Sequence, residues 1–213
     1  MHRCQSVALR VTDRLTRVSL TSREIDLLHF ACAGSSNSGH RTLDLTGQKF
    51  MSNNHASRTA KAEQRLNELG IQLPPPPQPF GAYVEAVRAG HLLFLTGMLP
   101  TAGGEVKFIG RVGAEFDVEA GRQAARLAAT NGVALAREHL GSLDKVIRIV
   151  RLGVSIATDG DFRDHPKVAD GASELLQEIF GADKNPSRLV IGVASLPLGA
   201  AVELELIFEV EPG

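Results

Sequence analysis

The chain has few of the residues that mark several large functional classes. Tryptophan is absent and Tyr83 is the only tyrosine, so we expect no aromatic platform for stacking nucleic-acid bases. The net charge of −1 gives no general attraction to nucleic acid or to an acidic membrane surface. No apolar run approaches the roughly 20 residues that span a bilayer. We therefore expect neither nucleic acid nor a membrane among the partners.

Cysteine is also scarce, and the usual metal and cofactor motifs are missing. Cys4 and Cys32 are the only cysteines among 213 residues, which is typical of a reducing compartment and predicts a cytoplasmic protein. The sequence contains no phosphate-loop, His-Glu-x-x-His or Cys-x-x-Cys pattern. His91, His139 and His165 lack ligand spacing and are interpreted as surface or capping residues. We predict no metal and no cofactor.

Residues 1–56 differ from the rest of the chain. They include a polar run at 34–40, and no hydrophobic period persists long enough to define an element. We interpret them as a disordered or loosely packed extension. The arginine-rich start weakly resembles a transit peptide, although Glu24 and Asp26 soon follow. Alternatively, Met51 is the natural start.

Residues 57–213 form one predicted α+β domain. A helix over 57–69, stopped by Gly70, and a proline-rich connector lead into it at 57–79. The helix is expected to place Ala62, Leu66 and Leu69 on one side. The elements predicted after the connector are strands at 83–88 and 91–96, a short strand at 106–109, a helix at 117–140, a strand at 145–157, a helix at 165–180 and two strands within 189–210.

The two long helices are expected to cover one face of a single mixed sheet. Asp117 is the predicted N-cap of the first and Gly141 its stop, while Gly181 ends the second. The strand between them is rich in Ile and Val and is predicted to be buried. The last two strands are expected to be neighbours joined near residues 196–199.

Charged residues in these last strands are the strongest indication of chemistry. Arg188 enters the first strand, and an arginine offers a fork of donors suited to a carboxylate. A surface role or an ion pair with a helix acid such as Glu178 is the structural alternative. Glu203 and Glu205 alternate with aliphatic residues, so both point away from the buried face. They are either a solvent face or groups that meet a partner subunit and act in acid–base chemistry.

Two positions near the first hairpin are ambiguous by themselves. Tyr83 places a phenol at the predicted start of the first strand. Thr96 and Gly97 end the second strand, where a glycine allows close backbone approach to a ligand.

Four short motifs occur together in a recognisable order. They are Gly-Ala-Tyr at 81–83, Leu-Thr-Gly-Met-Leu-Pro at 95–100, Asn-Pro-Ser-Arg at 185–188 and Leu-Pro-x-x-x-x-Val-Glu-Leu-Glu at 196–205. Together they resemble the Rid/YjgF family of enamine/imine deaminases over roughly residues 79–210. The lead-in at 57–79 is similar to the longer-headed branch of that family.

The resemblance implies a chorismate-mutase-like fold assembled as a homotrimer, with ligand clefts between subunits. It places the carboxylate-binding arginine at Arg188, the water-positioning glutamate at Glu203 and the tyrosine at Tyr83. The cleft glycine falls at Gly97, next to Thr96. The implied reaction is hydrolysis of a 2-imino acid, derived from an enamine, to a 2-keto acid and ammonia without metal or cofactor.

Several positions depart from the family pattern. Val190 stands where a cysteine is frequent, Met98 where a glutamine is common, and Ala82 where a proline is common. Asp170 is the candidate for a polar residue on the second long helix. These departures leave open a different imine, or binding without turnover.

Two other functions compete with the deaminase. One is a trimeric protein that binds or senses a small metabolite without catalysis. The other is a ribonuclease, an activity once assigned to some family members. Neutral charge, few aromatic residues and no evident histidine pair argue against RNA cleavage.

Overall fold

The computed structural model describes residues 61–212. The predicted extension at 1–56, the alternative start at Met51 and the first residues of the predicted lead-in helix lie outside these residues. Within the described range, the helices are α1 (Ala62–Glu68), α2 (Val118–Leu140) and α3 (His165–Phe180). The strands are β1 (Ala86–Ala89), β2 (Leu92–Leu95), β3 (Thr101–Ala102), β4 (Glu105–Val106), β5 (Val146–Ala157), β6 (Ser187–Val193) and β7 (Val202–Val210).

Five strands form a mixed sheet in the order β1-β2-β7-β5-β6, and β3 and β4 form a separate hairpin. Strands β5 and β6 are parallel, whereas the other pairs in the large sheet are antiparallel. This confirms the predicted mixed sheet with two long helices on one face. The prediction that the last two strands are neighbours is wrong, because β5 lies between them. Helix α3 is the crossover that places β6 parallel to β5, so β7 pairs along the opposite side of β5.

The sheet has one covered face and one open face. On β7 the apolar side chains alternate with others and face α2 and α3. The buried residues of β7 are Val202, Leu204, Leu206, Phe208 and Val210. They pack in one core with the inner faces of both long helices. Glu203 and Glu205 point to the open face, as their alternation predicts.

Local signals fix the boundaries of helix α2. The Asp117 side chain accepts a hydrogen bond of 2.8 Å from the Ala120 N–H, and Gly141 adopts a left-handed conformation with φ of 75°. Alanine-rich α2 lets α3 approach closely. A Cβ on Gly171 of α3 would collide with the Arg122 carbonyl oxygen of α2 and lie 2.8 Å from its carbonyl carbon. The tight contact between the two helices therefore depends on this glycine.

The structure corrects three details of the predicted elements. Leu69 follows the last turn of α1 and is 48% exposed, whereas Ala62 and Leu66 are buried. Strand β1 begins at Ala86, so Tyr83 lies in the connection before it. Strand β5 is buried on one face only, because helices cover a single face of the sheet.

None of the helices that the structure describes has the length and apolar composition needed to cross a membrane. Helix α2 is 23 residues long but carries charged residues, among them Arg122, Arg126 and Arg137. The cytoplasmic location stays a prediction.

The close contact at Gly171 generates a stability prediction. Gly171→Ala gains about 1 kcal/mol in helix propensity, but its methyl group overlaps backbone that cannot move without separating α2 from α3. Because the clash is with backbone, we expect a cost in the upper half of the roughly 1–3 kcal/mol typical of overpacking and, after the gain in helix propensity, a net loss of about 1–2 kcal/mol in the free energy of unfolding. Urea denaturation followed by circular dichroism measures the change.

Gln177→Ala is the matched control, because Gln177 is an exposed residue of the same helix. It is expected to change stability by no more than about 0.5 kcal/mol. Equal stability of Gly171→Ala and wild type would show that the helices can separate without cost.

Candidate active site

A groove of about 310 Å³ crosses the open face of the large sheet. Strands β7 and β5 supply most of its lining, and the loop residue Gly97 closes one side. The polar residues of the groove are Arg151, Ser155, Glu203 and Glu205. The groove is therefore the part of the open face where charged groups collect beside apolar strands.

Glu203 is the most perturbed acid of the groove. The side chain is half-buried, and burial raises the pKa of its carboxyl above the ordinary value because the charged form loses solvation. The carboxyl group lies directly over Gly97, where a Cβ would collide with Oε1 and lie 2.9 Å from Cδ. The group that approaches the backbone of Gly97 closely is thus the Glu203 carboxylate itself, and the lack of a side chain at Gly97 determines the position of this carboxylate.

Arg151 and Glu205 form an ion pair next to Glu203. Arg151 Nε donates to Glu205 Oε2 over 2.8 Å, and a Cβ on Gly153 would lie 3.1 Å from the same oxygen. Each of the two glutamates therefore lies across a glycine. Arg151 is not among the residues that the sequence predicts for the site. The alternation of Arg151, Gly153 and Ser155 along β5 was the available signal, since a strand buried on both faces would carry no such polar series.

Tyr83 and Thr96 meet Gly97 at a second, small cavity beside the groove. The Tyr83 hydroxyl accepts a hydrogen bond of 3.0 Å from the Phe80 N–H, which holds the ring against the loop. The Thr96 N–H donates to the Glu85 carbonyl over 2.8 Å. Gly97 is therefore common to both cavities: Glu203 lies over it in the groove, and Tyr83 and Thr96 line the small cavity beside it.

Arg188 is not part of this group, and the expected pairing of Arg188 and Glu203 on adjacent strands is wrong. On β5, Leu152 pairs with Arg188 and Ser155 pairs with Glu203. Paired residues share a face and successive residues alternate, so Arg188 lies on the helix side and Glu203 on the open side. Their strands are also two strand spacings apart, about 10 Å.

The guanidinium of Arg188 is instead held by helix α3. Its Nη1 donates to Asp170 Oδ1 over 2.7 Å and to Ser173 Oγ over 3.0 Å, and the side chain is 28% exposed. Glu178, the acid suggested by the sequence, pairs with Arg126 at 2.7 Å. Among the described residues, Nε and Nη2 of Arg188 have no hydrogen-bond partner, so two donors of the fork are left for a ligand.

A third cavity, of about 360 Å³, lies between the proline-rich connector and the turn that joins β3 to β4. Gln78 and Asn131 carry its side-chain amides, and that of Asn131 already donates to the Leu99 and Thr101 carbonyls over 2.9 and 3.0 Å. This cavity offers little reactive chemistry. Within residues 61–212, no cluster of three or more His, Cys, Asp or Glu side chains could hold a metal ion.

Comparison with known proteins gives consistent relatives. The family model described as "YjgF/chorismate mutase-like, putative endoribonuclease" matches residues 63–210. Protein TCP17 of Trypanosoma cruzi is 36% identical over 152 residues, covering 71% of this chain and 95% of its own. The 2-iminobutanoate/2-iminopropanoate deaminase of Dermatophagoides farinae is 32% identical over 141 residues, covering 66% of this chain and 95% of its own.

A solved structure agrees over the same region. The protein Atu1372 of Agrobacterium tumefaciens, whose function is unknown, has a TM-score of 0.65 and 35% sequence identity. The match covers 70% of this chain and 92% of that one.

The contact between Gly97 and Glu203 can be tested without a substrate. In Gly97→Ala the new methyl group occupies the position of the carboxyl group and displaces it toward solvent. The pKa of Glu203 is then expected to fall toward the ordinary value of glutamate, because the charged form regains hydration. Carbon-detected NMR titration of the side-chain carboxyl groups measures this change.

Gly153→Ala is the matched control, since it introduces the same methyl group beside Glu205 on the neighbouring strand. It should leave the Glu203 titration unchanged. A Glu203 pKa that is the same in Gly97→Ala and wild type would show that Gly97 does not fix this carboxylate.

Proposed function

This chain belongs to the YjgF/chorismate-mutase-like family, and we propose that it is a RidA-like deaminase that hydrolyses reactive 2-imino acids to 2-keto acids and ammonia. The observation that carries the proposal is the Glu203 carboxylate, half-buried, raised in pKa and fixed over Gly97 in a groove. A carboxylate of this kind is suited to acid–base work on a small molecule. The similar protein of Dermatophagoides farinae is named for such a deaminase activity.

The proposed site needs two different surfaces of the protein, one from each of two neighbouring copies. Arg188 lies on β6, an edge strand, whereas Glu203 lies on the open face. That face carries exposed apolar side chains, among them Phe94, Leu189 and Ile191, which favour coverage by another chain. We propose that the protein is a homotrimer in which Arg188 of one subunit faces the Glu203 group of its neighbour. Such a site exists only in the assembly.

The reaction then needs few groups. Nε and Nη2 of Arg188 bind the carboxylate of the 2-imino acid. Glu203 accepts a proton from a water molecule as the water oxygen attacks the imine carbon, and it passes this proton to the nitrogen, which gives a neutral tetrahedral carbinolamine and restores the carboxylate. Glu203 then takes the hydroxyl proton and returns a proton to nitrogen. The C–N bond breaks, ammonia leaves and the 2-keto acid remains, so one imine and one water give one keto acid and one ammonia.

The raised pKa of Glu203 assists both halves of this cycle. A carboxylate with a higher pKa is a stronger base, so it more readily accepts a proton from water and, in the second step, from the carbinolamine hydroxyl group. Tyr83 and Thr96, held around Gly97, border the place where the imine would lie. Neither a metal nor an organic cofactor takes part in this scheme.

A second candidate is a binding protein without turnover. The Asp170 carboxylate, 2.7 Å from Arg188 Nη1, already offsets part of the positive charge needed for the substrate. Because Asp170 neutralises part of the charge of Arg188, that ion pair would weaken binding of the imine's carboxylate. The free donors of Arg188 could still bind a small carboxylate. Binding of keto acids without any catalysed hydrolysis would support this alternative.

A coupled assay tests the proposed reaction. A threonine/serine dehydratase generates the imine, semicarbazide competes for it, and keto-acid release is measured with and without this protein. We expect wild type to accelerate release. Arg188→Met should raise KM about 10- to 100-fold by removing charge-assisted hydrogen bonds. Glu203→Gln should lower kcat about 10²- to 10⁴-fold by removing the base.

The same assay has a pH signature. The base must be unprotonated, so the wild-type rate is expected to fall as the pH drops through the raised pKa of Glu203. That acid limb should therefore lie above the pH expected for an ordinary glutamate and disappear in Glu203→Gln. Arg126→Met and Glu209→Gln are matched controls, because Arg126 also pairs with an acid of α3 and Glu209 lies on the open face of β7 outside the groove. Wild type that fails to accelerate release, or controls as impaired as the site variants, would contradict the proposal.

A further inference from the structure

His165 carries a polar atom that the proposed chemistry does not use. Its Nε2 is buried and has no hydrogen-bond partner among the described residues. His165 is the first residue of α3. The Phe162 ring packs edge-on against its imidazole, with 5.0 Å between ring centres. A buried nitrogen without a partner loses hydration and gains nothing in return, so a ligand atom that hydrogen bonds to it would be favoured.

The space around this nitrogen is made by Gly192 of β6. A Cβ at Gly192 would collide with His165 Nε2 and lie 3.1 Å from Thr158 Oγ1. The absence of a side chain therefore leaves two polar atoms facing one position. The residues that carry these atoms line an open depression of about 400 Å³, and Nε2 itself lies beneath its surface against Gly192. We call Thr158, His165 and Gly192 the polar niche.

The polar niche lies along the same side of β6 as Arg188. Successive residues of a strand alternate, so Arg188, Val190 and Gly192 face the helix side in turn. Gly192 is about 13 Å along the strand from Arg188. On α3, His165 precedes Asp170, the partner of Arg188, by about 7.5 Å along the axis. Half-buried Val190 lies between the two ends.

We propose that the polar niche binds the side-chain end of the substrate, and that the preferred substrates are 2-imino acids whose side chain ends in an amide or carboxylate. This inference rests on the proposed function, because Arg188 holds the other end of the molecule. The carboxylate binds Arg188, the methylene groups pack on Val190, and the terminal polar group hydrogen bonds with His165 Nε2.

The variants separate this niche from the reaction itself. In His165→Phe the ring against Phe162 is kept but Nε2 is lost. In His165→Gln an amide nitrogen stands near the position of Nε2. Gly192→Ala places a methyl group where Nε2 lies. His139→Phe is the matched control, since His139 is an exposed residue near the end of α2.

The activity test compares the imine of 2-oxoglutarate, which has a polar end, with 2-iminobutanoate, which has none. We expect His165→Phe and Gly192→Ala to lower kcat/KM for the polar substrate roughly three- to tenfold, the worth of one hydrogen bond. Turnover of 2-iminobutanoate should be unchanged, and His165→Gln should recover part of the loss. Equal effects on both substrates, or none in either variant, would overturn the proposal.

A binding test keeps the inference separate from the deaminase proposal. The probes are 2-oxoglutarate and 2-oxobutanoate, added to wild type labelled with ¹⁵N at histidine. A shift of the His165 Nε2 resonance with 2-oxoglutarate alone would support the polar niche even if no imine is hydrolysed. An unshifted resonance at saturating 2-oxoglutarate would overturn it, whatever the activity assay shows.

Discussion

The alternation of side chains along β7 is the constraint on which the rest of the arrangement depends. Every second residue of this strand is buried under α2 and α3, so the residues between them must face the other way. A shift of one residue in register would bury Glu203 and Glu205 under the helices and expose Leu204 and Leu206. Because burial of that many aliphatic side chains dominates the stability of the domain, the position of Glu203 follows from the hydrophobic core.

Two glycines then refine what the strand provides. Gly97 leaves space that only the Glu203 carboxyl group fills, and Gly153 does the same for Glu205. The Glu203 carboxylate consequently lies against backbone, and its half-burial raises its pKa, whereas the Glu205 side chain remains 54% exposed. The absence of a side chain at Gly97 therefore decides where the proposed reactive carboxylate of Glu203 lies.

The helix side of the sheet supplies the complementary half. Arg188 is fixed at the edge strand by Asp170 and Ser173, and the polar niche around His165 lies further along the same strand. One subunit thus presents a cation and a niche at its edge, and a carboxylate on its open face. Opposite faces of a sheet cannot serve one small ligand within a single subunit, which is why we propose that a second copy of the chain completes the site.

Patterns among neighbouring residues predict most of the helices and strands, whereas they do not predict the order of the strands in the sheet. Asp117 and Gly141 bracket α2 as expected, since caps depend on neighbouring residues. The adjacency of β6 and β7 was predicted wrongly, because strand order depends on how α3 crosses the sheet.

The candidate site was likewise only partly predictable from the sequence. Short motifs predict Arg188, Glu203, Tyr83, Thr96 and Gly97 as site residues; Glu203 lies over Gly97, and Tyr83 and Thr96 line a cavity with the same glycine. Arg151 and His165 were missed, because their neighbours come from pairing register and from a glycine on another element.

The most direct test of the central claim is subunit mixing between Arg188→Met and Glu203→Gln proteins. At an imine concentration well below KM, each variant alone is expected to retain no more than about a tenth of wild-type deaminase activity. If every cleft combines Arg188 of one subunit with Glu203 of its neighbour, random equal mixing restores about one cleft in four, and about a quarter of wild-type activity. Native mass spectrometry verifies that mixed trimers have formed. Mixed trimers no more active than the separate variants would contradict a site shared between subunits.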